Sequence, residues 1–263
     1  MRERAAHISS GLIVLVMLCF IYLPVVVLVI YSFQSGNLPV PPLEGFSFRW
    51  YEKAFSNERL TGSLFNSLII GLLSAAVAAA LGFFAAYSLF RHVIAGASIV
   101  RFALIAPITV SYLIIGLGLL IMFNMLGFGR SLVSVGFGHV VINLPLSFAI
   151  IYSQFGSHLR NIDNAARDLG AGDWATLIRV ILPVMVPSVI AAFCLSFTLS
   201  WDEFIIALLL SRFEVTLPVM VFELMRAGMT PEVNAAGTLV FFISTLTALI
   251  AIFTIAVRTR AIK

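Results

Sequence analysis

Asn164-Ala165-Ala166-Arg167-Asp168-Leu169-Gly170-Ala171-Gly172-Asp173-Trp174-Ala175-Thr176-Leu177-Ile178-Arg179-Val180-Ile181-Leu182-Pro183 is a polar, charge-mixed segment set between two long apolar runs. Asn161 or Asp163 is placed to N-cap a short helix through Arg167. Gly170 and Gly172 supply the permissive backbone that a helix C-terminus and turn need. Asp173 then N-caps a second helix passing Trp174, Leu177 and Val180 toward Pro183. The segment is therefore expected to form a helix–turn–helix outside the bilayer. The small residues Ala165, Ala166 and Ala171 sit at its bend, where another protein can approach the backbone closely. An amphipathic connector with no partner is the alternative.

The rest of the chain explains why such a segment has to lie outside a membrane. Of 263 residues, 61% are hydrophobic and 11% charged, and the mean hydropathy is +1.08. Repeated apolar runs of about 20 residues accompany these values, which excludes a soluble domain and indicates an all-α polytopic membrane protein. The length fits six spanning helices in one transmembrane domain, 1–263, with little left over. Those spans are expected at 11–33, 61–90, 102–128, 132–152, 184–210 and 233–257, with the polar loop at 158–183. Cys19 and Cys194 both fall in apolar runs and imply neither a disulfide nor a metal site. The four histidines lack metal-ligand spacing, and nothing indicates a cofactor or nucleic-acid partner.

Several runs carry internal detail. The first span is too long for a signal-peptide core and lacks a small-x-small exit, so it is expected to stay uncleaved. Pro39, Pro41 and Pro42 open a loop that ends in a short amphipathic helix with Trp50 and Tyr51, residues suited to the membrane interface. Gly71/Ala75 and Ala78/Gly82/Ala86 form a small-residue stripe on the second span, against which another helix can pack. Pro107 makes the third span irregular, and His139 and Asn143 share one face of the fourth. Pro183 and Pro187 are expected in the first turns of the fifth, and Thr230-Pro231-Glu232 starts the sixth.

Alternating the six spans puts ten basic residues (2, 4, 91, 101, 160, 167, 179, 258, 260 and 263) on one side and six (49, 53, 59, 130, 212 and 226) on the other. The positive-inside rule then places both termini and the 158–183 loop in the cytoplasm.

Asp202 and Glu203 interrupt the fifth apolar run, roughly 27 Å from its start at 1.5 Å per residue. Carboxylates at that depth need water or a partner. Adjacent helical positions point about 100° apart, so one acid can face a pathway while the other is held by a neighbour. Negative charge near tryptophan suits a cationic amine. The alternative ends the span at Trp201 and leaves both acids at the wet interface.

Two patterns resemble a known family. Ala165, Ala166, Gly170, Leu182 and Pro183 match the EAA loop of type I ABC-importer permeases, with Val180 for the usual Ile and Asn164 for the Glu. That resemblance implies a coupling helix seated in a cytoplasmic ATPase, with Asn164, Ala165, Ala166, Asp168, Gly170 and Ala171 at the contact. Leu199-Ser200-Trp201-Asp202-Glu203 is similar to the Leu-Ser-x-Asp-Asp segment of spermidine/putrescine permeases of the PotC type. Thr216-Leu217-Pro218, Thr230–Ala235 and Arg49-Trp50-Tyr51 are similar to the same group. It implies Trp50, Ser200, Asp202 and Glu203 as polyamine-path residues. It also implies a second homologous permease, two ATPase subunits and a periplasmic binding protein as partners, in the bacterial inner membrane. Importers of opines and aminoethylphosphonate share much of this pattern.

No Gly-x-x-x-x-Gly-Lys-[Ser/Thr] loop occurs, so ATP hydrolysis falls to a partner. An intramembrane enzyme using Asp202, Glu203 and His139 would not need the polar loop. A secondary transporter would usually show internal repeats, and the six spans show none.

Overall fold

The computed structural model describes the backbone of residues 2–92, 94–228 and 230–261, and the side chains of 10–92, 94–228 and 230–253. The basic side chains counted at 2, 4, 258, 260 and 263 lie outside the described ones. Every regular element among the described residues is helical, apart from one antiparallel bridge between Gln34 and Phe46. In hydrocarbon, only a helix satisfies all its own backbone polar groups segment by segment.

The helices are α1 (Arg2–Ser32), α2 (Arg49–Ser56), α3 (Glu58–Arg91), α4 (Ala97–Ile105), α5 (Tyr112–Met125), α6 (Leu132–Tyr152), α7 (Ser157–Asp168), α8 (Asp173–Thr176), α9 (Leu182–Asp202), α10 (Ile205–Leu210), α11 (Leu217–Ala227) and α12 (Pro231–Ala261). Among the described residues, five helical runs are long and apolar enough to cross a membrane: Ser10–Ser32, Glu58–Arg91, Leu132–Tyr152, Asp173–Asp202 and Pro231–Phe253. Ala97–Thr109 with Tyr112–Met125 makes a sixth if the bent pair is one span.

That pair stands where a single irregular third span was expected at 102–128. The chain turns by 105° between its halves. Pro107 has no N–H and its ring obstructs a continuing α-helix, so α4 tightens into a 3₁₀ turn over Ala106–Thr109. Val110 and Ser111 are then extended before α5 begins.

The fifth span departs in the opposite sense at its start. α8, a π-helical turn over Leu177–Ile181 and α9 form one 30-residue run, so Pro183 and Pro187 lie inside it. The wider π turn directly precedes Pro183, where an α-helix would lack an N–H donor to the carbonyl four residues back. At its far end the run stops at Asp202. Glu203 is extended (φ −71°, ψ 121°), and α10 is a separate helix.

Two compact units are present, Met1–Thr61 with Val221–Phe241, and Gly62–Met220 with Phe242–Lys263. In the first, Gln34 is buried and ties the loop after α1 together. Its amide donates to Pro42 O at 3.3 Å and accepts from Glu44 N at 3.1 Å. Glu232 is also buried and receives Lys53 Nζ at 3.0 Å and Asn57 Nδ2 at 3.1 Å. An acid in the first turn of α12 thus holds α2.

In the second unit α6 is central, packing against α4, α5, α9 and α10. The small-residue stripe of α3 is the seam that admits it. A Cβ on Gly82 would stand 2.8 Å from Phe148 N, so only glycine lets the α3 and α6 backbones come this close. A Cβ on Gly71 would stand 3.0 Å from the ring of Phe197 on α9. Phe83, Phe148, Ile151, Leu159, Ile181 and Met185 fill the core at the α7 end of this unit.

Candidate functional site

The polar loop folds into an elbow. α7 begins after Gly156, so Asn161 and Asp163 lie within it and neither is its N-cap. Its C-terminus closes by paired bonds, Gly170 N to Arg167 O at 2.7 Å and Ala171 N to Ala166 O at 3.0 Å, with Gly170 left-handed at φ 85°. This is a Schellman closure, and it explains the glycine at this position. Gly172 takes the N-cap position of α8, and Asp173 is the first helical residue rather than the cap.

The two displaced acids bind arginine instead. Asp163 is 5% exposed, and its Oδ2 accepts from Arg91 Nη1 at 2.7 Å. Arg91 Nη2 donates to Asp173 Oδ1 at 2.5 Å, and Arg167 Nη2 reaches the same oxygen at 3.3 Å. Asp163 is therefore turned inward and unavailable to stand in for the acid missing at Asn164. Asn164, Ala165, Asp168 and Gly170 are exposed, while Ala166 and Ala171 are half-buried. Leu169 is 89% exposed and Trp174 is 72% exposed, flanking the glycine turn. Two large apolar side chains thus stand bare beside a polar helix.

A second set of polar groups lies inside the bundle. Ser200 is buried, its hydroxyl 2.6 Å from His139 Nδ1 and 3.0 Å from Ser74 Oγ. Ser147 and Ser196 pair at 2.7 Å along the same α6–α9 contact. Glu203 is buried, and its carboxylate accepts the N–H of Ile206 (2.9 Å) and of Ala207 (3.1 Å). It therefore caps α10 from outside, satisfying donors a helix start leaves orphaned. His139 Nε2 is 3.6 Å from the same carboxylate. Asp202 differs in every respect. It is exposed and accepts one hydrogen bond, from Ser244 Oγ on α12 at 2.8 Å.

The structure thus brings Ser200 and Glu203 together around His139 and leaves Asp202 open. Trp50 belongs to the other unit and is buried at 2% exposure. Its indole N–H donates to Gly36 O at 3.1 Å, and Arg49 and Lys53 each lie 5.1 Å from its ring centroid. Asn143 shares a face with His139, and both its amide atoms are fully buried with no hydrogen-bond partner among the described residues.

Residue types alone did not identify the Arg91–Asp163 pair, whose members lie 72 positions apart. Ser74 was likewise hidden, one serine in a span full of small residues. The only available signal was that Arg91 ends an apolar run and Asp163 lies within the polar loop.

Comparison with known proteins adds lineage. The family described as binding-protein-dependent transport system inner membrane component matches residues 78–261. The spermidine/putrescine transport system permease protein PotC of Haemophilus influenzae is 31% identical over 231 residues, 87% of this chain and 89% of that protein. The putrescine transport system permease protein PotI of Escherichia coli K12 is 34% identical over 229 residues, 84% of this chain and 81% of that one. The fold matches a chain of a bacterial alginate ABC transporter, solved with an alginate-bound periplasmic protein, at TM-score 0.70 and 16% identity. That match covers 96% of this chain and 93% of the other. With its bundle of apolar helices and a match over most of its length, this chain belongs to the family of binding-protein-dependent transport system inner membrane components.

Proposed function

We propose that this chain is the permease subunit of an ATP-driven importer of polyamines, spermidine or putrescine. The observation that carries the substrate is the 30–34% identity, over most of the chain, to permeases named for those two amines. The exposed carboxylate of Asp202, at the end of a membrane-length helix, is the chemistry a cationic amine needs.

In this reading Asp202 meets the passing amine directly. Ser200 and Glu203 hold the α9–α10 break behind it, and Trp50 braces the short amphipathic helix α2. The elbow 158–183 faces the cytoplasm, as do both termini. A cytoplasmic ATPase receives the α7 surface formed by Asn164, Ala165, Ala166, Asp168, Gly170 and Ala171, with Leu169 and Trp174 beside it. A second homologous permease, two ATPases and a periplasmic binding protein complete the machine. ATPase closure moves the elbow, and the bundle alternates between openings on its two sides.

The test is uptake of labelled spermidine and putrescine by polyamine-import-deficient cells carrying this chain with its neighbouring transporter genes, beside an Asp202→Asn version. ATP-dependent uptake that collapses in the variant is the expected result. A well-expressed, assembled complex that takes up neither amine overturns the substrate and points to opines or phosphonates.

A further inference from the structure

Arg91 is the last residue of α3, yet its side chain is 6% exposed and ties two other elements to that helix. Nη1 binds Asp163 in the middle of α7, and Nη2 binds Asp173 at the first turn of the α8–α9 run. Arg167 closes the set from the far side, 3.7 Å from Asp163 Oδ2 and 3.3 Å from Asp173 Oδ1. No other cation is described within salt-bridge distance of either carboxylate. A guanidinium has two donor edges in one rigid plane, so a single Arg can hold two carboxylates at fixed directions.

The alternative for each pair is an ordinary ion pair at a helix end. Asp173 alone would fit that, because it is exposed. Asp163 does not, because a carboxylate in the interior is retained only with its counter-charge. Moreover, the Schellman turn between the acids fixes α7 relative to α8, so Arg91 bridges two elements already joined at the elbow.

We propose that Arg91 is a positioning residue that bolts α3 to the elbow, so that α3, α7 and the α8–α9 run move as one body when the elbow is driven. Displacement at α7 then reaches α3 directly, and through its glycine seam reaches α6. The functional consequence rests on the reading of α7 as the ATPase dock; the bolt itself rests on geometry alone.

The test is double electron–electron resonance on the assembled complex in lipid nanodiscs, with and without vanadate-trapped ATP. Cys19 and Cys194 are first replaced, and spin labels are placed by Phe65→Cys on α3 and Val186→Cys on α9, both exposed positions. The intact network is expected to give one narrow 65–186 distance in both nucleotide states. Arg91→Met is expected to broaden or split it, most of all in the trapped state, and Arg91→Lys, which keeps the charge but not the two-edged fork, to broaden it less. Because Arg91→Met strands a buried acid and can fail to fold, Asp173→Ala, which removes an exposed carboxylate and its acceptor oxygen, serves as the second variant and is expected to broaden the trapped-state distance.

A distance that stays single in Asp173→Ala, or in a folded Arg91→Met, overturns the proposal. So does one that already shifts on trapping in the intact network, or that Arg91→Lys loosens as much as Arg91→Met. Leu169→Ser separates the two readings. Wild-type ATPase association in that variant removes the docking role of α7, whereas the 65–186 distance reports on the bolt regardless.

Discussion

His139 Nδ1 lies 2.6 Å from Ser200 Oγ, and the opposite ring nitrogen faces Glu203 at 3.6 Å, so one imidazole spans the point where α9 stops. This relationship divides the two adjacent acids. Glu203 is drawn inward, toward His139 and the open N–H groups of α10, whereas Asp202 is left outside with Ser244. Two carboxylates one residue apart therefore have different surroundings, and substitution should separate them.

Glu203→Ala removes the acceptor of two buried N–H groups, each left unsatisfied at about 1–3 kcal/mol. The expected outcome is a clear loss of thermal stability, measured on the purified complex. Asp202→Asn keeps the Ser244 contact and should leave stability within about 0.5 kcal/mol, as for surface changes, while lowering uptake. Equal melting temperatures for the two variants would show that Glu203 is not a structural cap.

Asn143 is fully buried with neither amide atom paired, which costs about 1–3 kcal/mol per group. Asn143→Leu, with the same branched skeleton and no polar atoms, is expected to raise the melting temperature by a few degrees, about 2–4 °C per kcal/mol for a chain of this size. A drop instead would show that the amide has a partner, such as an ordered water.

Gly82→Ala places a Cβ 2.8 Å from a backbone nitrogen of α6, and overpacking of this kind costs about 1–3 kcal/mol. Gly118, inside α5, has nothing within 4 Å of the same atom. Gly118→Ala should be neutral or stabilise by up to about 1 kcal/mol through helix propensity. Comparable effects of the two substitutions on expression and melting would refute the close α3–α6 seam.

Leu169→Ser changes a side chain that is 89% exposed, so the fold of the isolated permease should be unaffected. Loss of ATPase co-purification is expected, together with loss of ATP-driven uptake. Intact co-purification would exclude this surface from the dock.

The helical type was legible because apolar runs of membrane length are strong signals, and the elbow was legible because glycine and proline punctuate it. Its local chemistry was not. Asp163 and Asp173 are good caps by type, but a long-range partner, Arg91, outweighed the local option for both. Pro107 signalled irregularity without revealing a 105° turn, since proline tolerates a kink, a 3₁₀ turn or a break. Pro183 failed in the other direction. A π turn absorbed it, and such turns leave no reliable trace in residue type. At the acids the surroundings do differ, but not through helical adjacency: the helix ends at Asp202, Glu203 is extended, and which acid turned inward depended on His139, 64 positions from Glu203.

The unbroken run from Asp173 to Asp202 makes the elbow and the exposed acid two ends of one stick. Its 30 residues measure roughly 45 Å at 1.5 Å per residue. A tilt of about 10° at the base sweeps the tip through about 8 Å, more than a full helical turn of about 5.4 Å. A small rotation at one end is thereby geared into a large lateral stroke at the other, and the carboxylate of Asp202 rides at the point of greatest travel.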